Sequence, residues 1–158
     1  MQIVPRSWFS WDFSVLLNGS CVAEIDISAW REKGLLSVAG ATYNVYREGW
    51  MSGAFILELD GAQLACAEKP SALLRSFTVW HTGKTYTLKA ESPFGRTFVL
   101  LENDRQVGSI TPQGVFTRKA IVDLPEELPL PVKVFLIWLT VILWKRAANA
   151  AAASAAGS

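Results

Sequence analysis

The sequence has few of the residues that build catalytic or metal sites. It contains a single histidine and two cysteines in 158 residues, too few to supply the four ligands of a structural zinc site from these residue types. It also lacks the glycine-rich patterns of nucleotide-binding loops. Only 18% of the residues are charged and the net charge is +1, so no overall field attracts nucleic acid. The sequence therefore predicts no metal, no cofactor and no nucleic-acid partner.

Nothing in the sequence indicates a set of catalytic residues. The histidine, His81, lies beside the predicted turn Thr82-Gly83, and no serine or cysteine nucleophile with a supporting carboxylate is apparent. The pair Glu126 and Glu127 precedes a predicted helix, where carboxylates favour the positive end of the helix dipole. We predict a non-enzymatic protein without catalytic residues. An enzyme of unrecognised type that uses His81 is the alternative.

The two cysteines and the N-terminal segment bear on the cellular compartment. Cys21 and Cys66 have no metal-like spacing and are expected to be buried free thiols, with a disulfide as the alternative. The first residues, MQIVPRSWFSW, contain no apolar segment followed by a cleavage site of small residues. We expect a cytoplasmic protein, either free in the cytosol or peripheral at a membrane.

The longest apolar segment lies near the C-terminal end, from Val134 to Trp144. Its apolar residues cover every side of a helical wheel, so the helix must be enclosed by lipid or by protein. From Val132 to Trp144 it spans about 20 Å, less than the hydrocarbon core of about 30 Å. We predict a wholly buried helix over 132–146, followed by a frayed or disordered alanine-rich tail at 147–158. The alternative is a tail-anchored membrane protein with 128–144 as the anchor.

Between residues 8 and 124 the sequence has the pattern of a β protein. Short segments rich in β-branched and aromatic residues alternate with glycine, asparagine and aspartate. Four dipeptides are typical of hairpin turns: Asn18-Gly19, Asp60-Gly61, Thr82-Gly83 and Asn103-Asp104. We predict strands at 9–17, 20–28, 34–38, 42–48, 53–60, 62–68, 74–81, 84–91, 96–102, 105–111 and 115–123, with Met1–Val4 as a candidate twelfth strand.

The strand pattern repeats along the chain. The turns at Asn18, Asp60 and Asn103 are 42 and 43 residues apart, which indicates repeated units of four strands. Three such units are too few for a propeller, but together they provide the strands of a closed barrel. A barrel of about twelve strands is too wide to be filled by its own side chains, and a central helix about 10 Å across would fill it.

We therefore predict a mainly β fold in one domain, residues 1–146: a closed barrel of about twelve strands with a buried C-terminal helix along its axis. The units at 15–25, 56–68 and 99–110, the segment 115–123 and DLPEELPLPVKVFLIWLTVILWKR at 123–146 carry a family resemblance. This organisation resembles the tubby C-terminal-like superfamily, which includes tubby domains, phospholipid scramblases and LURP-one-related proteins.

The resemblance implies different functions in its different branches. In tubby domains it would imply phosphoinositide binding by a basic pocket, and in scramblases association with membrane lipid and calcium. The sequence contains neither a tubby-type basic pocket motif nor an acidic calcium loop. It is most similar in organisation to the compact LURP-one-like members, whose activity is not defined.

The basic residues suggest a candidate ligand-binding patch for anionic phospholipid head groups, formed by Lys84, Lys89, Arg118 and Lys119. Lys84 and Lys89 share a predicted strand and are expected to project from one face. The alternative is that these residues are the ordinary charged exterior of a barrel. A protein partner is the other candidate ligand, and the protein is expected to be a monomer.

The tryptophans outside the helix have two interpretations as well. They could form an interfacial belt that enters a membrane, or they could pack in the core and at the barrel rim. They are Trp8, Trp11, Trp30, Trp50 and Trp80.

Overall fold

Twelve antiparallel strands pair in chain order, and the first strand pairs with the last to close a barrel. The computed structural model describes residues 1–28, 31–49 and 53–157. The strands are β1 (Gln2–Pro5), β2 (Phe13–Leu17), β3 (Ser20–Ile27), β4 (Lys33–Val38), β5 (Ala41–Arg47), β6 (Phe55–Leu59), β7 (Ala62–Glu68), β8 (Ser76–His81), β9 (Lys84–Ala90), β10 (Phe98–Glu102), β11 (Arg105–Pro112) and β12 (Ala120–Asp123). The predicted closed barrel is confirmed, and the candidate segment Met1–Val4 contributes to β1.

Tight turns join the strands at one end of the barrel. The first residue of each predicted turn has a positive φ, 51° at Asn18, 50° at Asp60, 45° at Thr82 and 50° at Asn103. This left-handed conformation matches the right-handed twist of the flanking strands. A fifth turn of the same kind, at Ala39-Gly40, has φ of 49° and 82°. It lies between the predicted strands 34–38 and 42–48, although alanine seldom adopts a positive φ.

The predicted repeat is also present in the strand pairing. The β2–β3, β6–β7 and β10–β11 hairpins each shift register once, after Val15, Leu57 and Leu100. Each of these residues lies opposite a small residue, which is Ala23, Ala65 or Gly108. The bulges recur at the spacing of the turns, so the three units share backbone geometry as well as sequence pattern.

The C-terminal helix α1 (Leu130–Ala156) lies inside the barrel over its first half. Val132 and every residue from 134 to 144 are buried. With 3.6 residues per turn these side chains point in all directions, so the strands surround the helix. The inward side chains of the strands and the helix form one core; for example, the Phe55 ring centroid lies 5.9 Å from that of Trp138. The predicted buried helix is confirmed.

The helix does not end where the apolar segment ends. It continues through the alanine-rich segment, and residues 147–156 are helical and exposed. Alanine has the highest helix propensity, and the buried half supplies the nucleus that a free helix would have to form. Within the apolar segment the single hydroxyl, on Thr140, donates to the carbonyl oxygen of Leu136 at 3.0 Å.

The position of the helix bears on the membrane-anchor alternative. The segment 128–144 is enclosed by strands, so in this structure it forms the centre of the core and not a lipid-exposed anchor. Within residues 1–28, 31–49 and 53–157, no helix is both long enough and apolar enough to cross a bilayer.

Both cysteines are free thiols. Cys21 is exposed and Cys66 is half-buried, so the expectation that both are buried is wrong. Cys66 faces outward beside the buried Ala65, because side chains alternate between the two faces of a strand. Cys21 is two residues from the buried Ala23, and the register shift between these two residues turns it outward.

Candidate binding surface at the loop end

The two ends of the barrel are built differently. The turn end consists of the five two-residue turns described above. The loop end consists of six longer connections: L1 (6–12), L2 (28–32), L3 (48–54), L4 (69–75), L5 (91–97) and L6 (113–119). Binding residues in β proteins occur most often on such loops, so the loop end is the first place to look for a functional site.

The helix leaves the barrel at the loop end and is fastened there. Trp144 donates its indole N–H to the carbonyl oxygen of Arg96 in L5 at 2.9 Å. Arg146 forms an ion pair with Glu32 in L2, and the Lys145 ammonium donates to the carbonyl oxygen of Ser28 at 2.9 Å. These contacts fix L2 and L5 to the helix as it emerges.

The most exposed apolar side chains of the described residues lie on four of these loops. Six large apolar side chains are between 80% and 100% exposed: Trp8, Phe9, Leu73, Phe94, Val115 and Phe116. They belong to L1, L4, L5 and L6. The other exposed apolar side chains on the strands, such as Ile121 at 53%, are less exposed. Apolar groups held in water at loop tips indicate a surface that contacts another apolar phase or partner.

Three arginines each bind the backbone of the next loop around the barrel. Arg75 in L4 donates through Nη1 to two carbonyl oxygens of L5, at 2.6 and 3.1 Å. Arg96 in L5 donates in the same way to two carbonyl oxygens of L6, at 2.8 and 3.1 Å. Arg118 in L6 donates to three carbonyl oxygens of L1. This chain of contacts fixes the loops that carry the exposed apolar side chains.

These three guanidinium groups lie against aromatic rings. The Arg96 Cζ lies 4.9 Å from the Trp144 ring centroid, and the Arg118 Cζ lies 5.3 Å from that of Trp11. Arg75 stacks in the same way on Phe98, at 5.4 Å. An aromatic face stabilises a cation without neutralising it. Among the described residues, none of the three arginines forms an ion pair with a carboxylate.

Partial burial of Arg75 and Arg96 disfavours their charged form. Burial lowers the pKa of Arg75 and of Arg96, because the charged form is partly removed from water. Elsewhere at the loop end three arginines have carboxylate partners, since Glu32 pairs with both Arg47 and Arg146 and Asp26 pairs with Arg6. The side formed by L4, L5 and L6 therefore carries three arginines that have no carboxylate partner among the described residues.

Charge differs between the two ends of the molecule. The turn end and the strand termini beside it carry mostly carboxylates, namely Asp60, Glu102, Asp104, Asp123, Glu126 and Glu127. The loop end carries most of the arginines. The net charge of +1 therefore conceals a polarised molecule, which would orient in front of a negatively charged surface.

The four predicted patch residues do not lie together. Arg118 and Lys119 are in L6, and Lys89 is near L4 and L5, where it lines a cavity with residues 73–76. Lys84 follows the turn at 82–83, at the opposite end, and pairs with Glu102 at 3.2 Å. The same-face expectation is wrong, since residues five apart on a strand point to opposite sides. The structure therefore brings Lys89, Arg118 and Lys119 to the loop end.

Sequence reasoning missed Arg75 as part of a surface. A signal was present, because an apolar residue two positions before an arginine recurs at 73–75, 94–96 and 116–118. The arginines are 21 and 22 residues apart, which is half of the four-stranded unit. Of the tryptophans outside the helix, Trp8 is exposed and Trp11 lies under Arg118, while Trp30 and Trp50 lie outside the described residues.

A larger cavity of about 790 Å³ lies over strands β3 to β6 on the outer wall. Several of its polar groups are already used within the protein. Asp26 pairs with Arg6 at 2.6 Å, and Tyr46 donates to Glu58 at 2.8 Å. This hydrogen bond to a carboxylate raises the pKa of Tyr46. The acidic groups Asp26 and Glu58 of the wall cavity therefore already have partners within the protein.

The remaining candidate chemistry is limited. His81 is half-buried, and its Nδ1 lies 2.9 Å from the carbonyl oxygen of Leu64, so Nδ1 carries the proton and donates it in this contact. Within residues 1–28, 31–49 and 53–157, no three histidine, cysteine or carboxylate side chains are placed to hold a metal ion. Comparison with protein-family models, curated proteins and solved structures finds no match to this chain.

Proposed function

We propose that this chain is a non-enzymatic binding module of the tubby-like or LURP-one-like type, whose loop end docks on the surface of a membrane containing anionic phospholipid. The observation that carries the proposal is the coincidence of two features on the same loops. Highly exposed apolar tips lie on the same loops as arginines that have no carboxylate partner in the part of the chain that the structure describes. The closed barrel with its enclosed C-terminal helix supports the family part of the proposal.

The form of the apolar surface favours a membrane over a protein partner. Phe9, Phe94 and Phe116 are almost fully exposed, each on a different loop. A protein interface needs a rigid pocket for each anchor, whereas a bilayer deforms around separate tips. Burying one such side chain in lipid would contribute about 1.5–3 kcal/mol. Three tips on a fixed frame would therefore give a measurable affinity.

The charge at this end matches the same partner. Each cation held near an anionic bilayer contributes about 1 kcal/mol, and L4, L5 and L6 each hold an arginine behind their apolar tips. The carboxylates of the turn end would then face away from the bilayer. Attraction and insertion thus act along one direction, with the barrel standing on its loop end.

Co-sedimentation with vesicles tests this proposal. The full chain should pellet with vesicles of phosphatidylcholine mixed with phosphatidylserine and much less with phosphatidylcholine alone, and salt should weaken the binding because it screens the charges. The double variant Phe9→Ser/Leu73→Ser should lose most of the binding. Both residues are at least 93% exposed, so this variant should fold normally.

A matched control distinguishes insertion from general surface polarity. Leu17→Ser/Ile121→Ser removes two other exposed apolar side chains, which lie on strands and not on the loops. It should bind vesicles as the unchanged protein does. Background pelleting of the unchanged protein with both kinds of vesicle would overturn the proposal, and so would equal losses in the two double variants.

A further inference from the structure

A separate cavity of about 510 Å³ opens where the helix leaves the barrel. It lies within the volume range of small-molecule sites, about 300–1,000 Å³. Its walls are formed by L4, L5, L6 and L1 together with the first exposed turn of the helix. The lining side chains include Arg75, Arg96, Arg118, Phe94, Phe116 and Trp144.

The cavity holds positive charge that the protein does not neutralise. Arg75 and Arg96 each use Nη1 for two backbone carbonyl oxygens, and no hydrogen bond from their Nη2 atoms is present among the described residues. Three guanidinium groups line this cavity, and none is paired with a carboxylate of the described residues. Those of Arg75 and Arg96 keep Nη2 for an oxyanion. Arginine is suited to this because its N–H groups match the two oxygens of a carboxylate or phosphate.

The rest of the lining indicates what carries the oxyanion. Apart from the arginines, the cavity is lined by aromatic rings, Pro93 and the small residues Ala147 and Ala148. It presents no serine, asparagine or lysine side chain that could bind the hydroxyl groups of a sugar or an inositol. A ligand with a large polar body would lose its hydrogen bonds to water without replacement. An anionic head on a hydrocarbon chain satisfies both parts of the lining.

We infer that this cavity binds a single-chain carboxylic acid, such as a fatty acid, with its carboxylate on Arg75 and Arg96, near the charge of Arg118, and its chain against Phe94 and Phe116. This goes beyond membrane docking, since the acid binds as a monomer from solution. The same exposed rings that would meet a bilayer would line the path by which the chain enters.

Isothermal titration calorimetry with the full chain tests the inference, using decanoate as the probe. Decanol has the same chain without the charge, and inorganic phosphate has the charge without the chain. Decanoate should bind at least about tenfold more tightly than either, because a hydrogen bond to a charged group contributes about 1.5–3 kcal/mol. Equal binding of decanoate and decanol, tighter binding of phosphate, or no binding of decanoate would each overturn the inference.

Two variants locate the site. Ala148→Trp fills the cavity from an exposed helix position without touching an arginine, and should abolish decanoate binding. Arg96→Gln should weaken decanoate binding about tenfold or more and leave decanol unaffected. If Ala148→Trp binds decanoate normally while folded, the acid binds elsewhere and the inference fails.

The decanoate experiment can fail or succeed independently of the vesicle experiment that tests the proposed function. Phe9 and Leu73 do not line the cavity. The variant Phe9→Ser/Leu73→Ser should therefore bind decanoate normally, even though it is expected to lose most of its binding to vesicles. Ala148→Trp should still bind vesicles. Loss of decanoate binding in Phe9→Ser/Leu73→Ser would place the acid outside the cavity and overturn the inference, whatever the vesicle result.

Discussion

Trp144 and Arg96 hold each other in two ways: the indole N–H donates to the Arg96 carbonyl oxygen at 2.9 Å, and the Arg96 guanidinium lies 4.9 Å from the centroid of the same ring. Trp144 ends the buried part of the helix, and Arg96 holds L6 through two carbonyl oxygens. The core helix and the loops of the candidate surface therefore meet at this pair.

The pair predicts different costs for two substitutions. Trp144→Phe removes the N–H donor but keeps a ring under Arg96, so it should lower the free energy of unfolding by about 1 kcal/mol. Trp144→Ala also leaves a cavity and should cost about 3–5 kcal/mol. Urea denaturation measures both. Trp80→Phe, on the outer wall, is the control and should be nearly silent; equal costs for the Phe and Ala variants of Trp144 would contradict the assignment.

The enclosed helix predicts that the C-terminal segment is not dispensable as a whole. Leu139→Asp places a carboxylate at a fully buried position without a partner, and should cost more than about 4 kcal/mol. This loss of stability would be seen as insoluble protein in expression trials or as the loss of a cooperative thermal transition. Residues 149–156 are exposed helix, so deletion of 149–158 should leave the melting temperature nearly unchanged. A soluble, cooperative Leu139→Asp protein would contradict the position of the helix.

The fold could be predicted because its determinants are local. Dipeptides such as Asn18-Gly19 mark the turns, alternation marks the strands, and the single apolar segment has no solvent face to place outside. The Ala39-Gly40 turn was less apparent because its conformation is imposed by the pairing of β4 with β5. The boundaries of the helix were also less certain, since whether alanine stays helical depends on the nucleus that precedes it.

The candidate surface was harder to predict because its contacts join loops that are distant in sequence. Arg118 binds carbonyl oxygens more than a hundred residues away, across the closure of the barrel. The alternation of side chains predicts which face of a strand a residue occupies, but it does not predict where a loop side chain lies or which residue it contacts. Lys84 was grouped with Arg118 on charge and with Lys89 on a shared strand, although Lys84 lies at the other end of the barrel and already pairs with Glu102.

A close approach between the neighbouring strands β3 and β4 leaves little room for a side chain at Gly34. A Cβ at Gly34 would lie 2.3 Å from the carbonyl oxygen of Asp26 and 3.4 Å from Nε1 of Trp138. Gly34→Ala should therefore destabilise the protein by about 1–3 kcal/mol. Gly114→Ala, whose nearest contact would be 3.4 Å from the Thr117 methyl group, is the matched control. Chemical denaturation should give a lower free energy of unfolding for Gly34→Ala than for Gly114→Ala. Equal stabilities would show that the backbone around Gly34 shifts to make room for the methyl group.

The two free cysteines should differ in reactivity. Burial raises the pKa of the Cys66 thiol, and the nearby Glu68 carboxylate raises it further. At a pH below that pKa a smaller fraction of Cys66 is thiolate, which is the form that attacks a disulfide reagent. Cys21 is exposed, so in native protein the Cys21→Ser variant should react several-fold more slowly with Ellman's reagent than the Cys66→Ser variant. Raising the pH should narrow the difference, because Cys66 then ionises. In denaturant the two variants should react alike; equal rates in the native state would show that Cys66 is as open to solvent as Cys21.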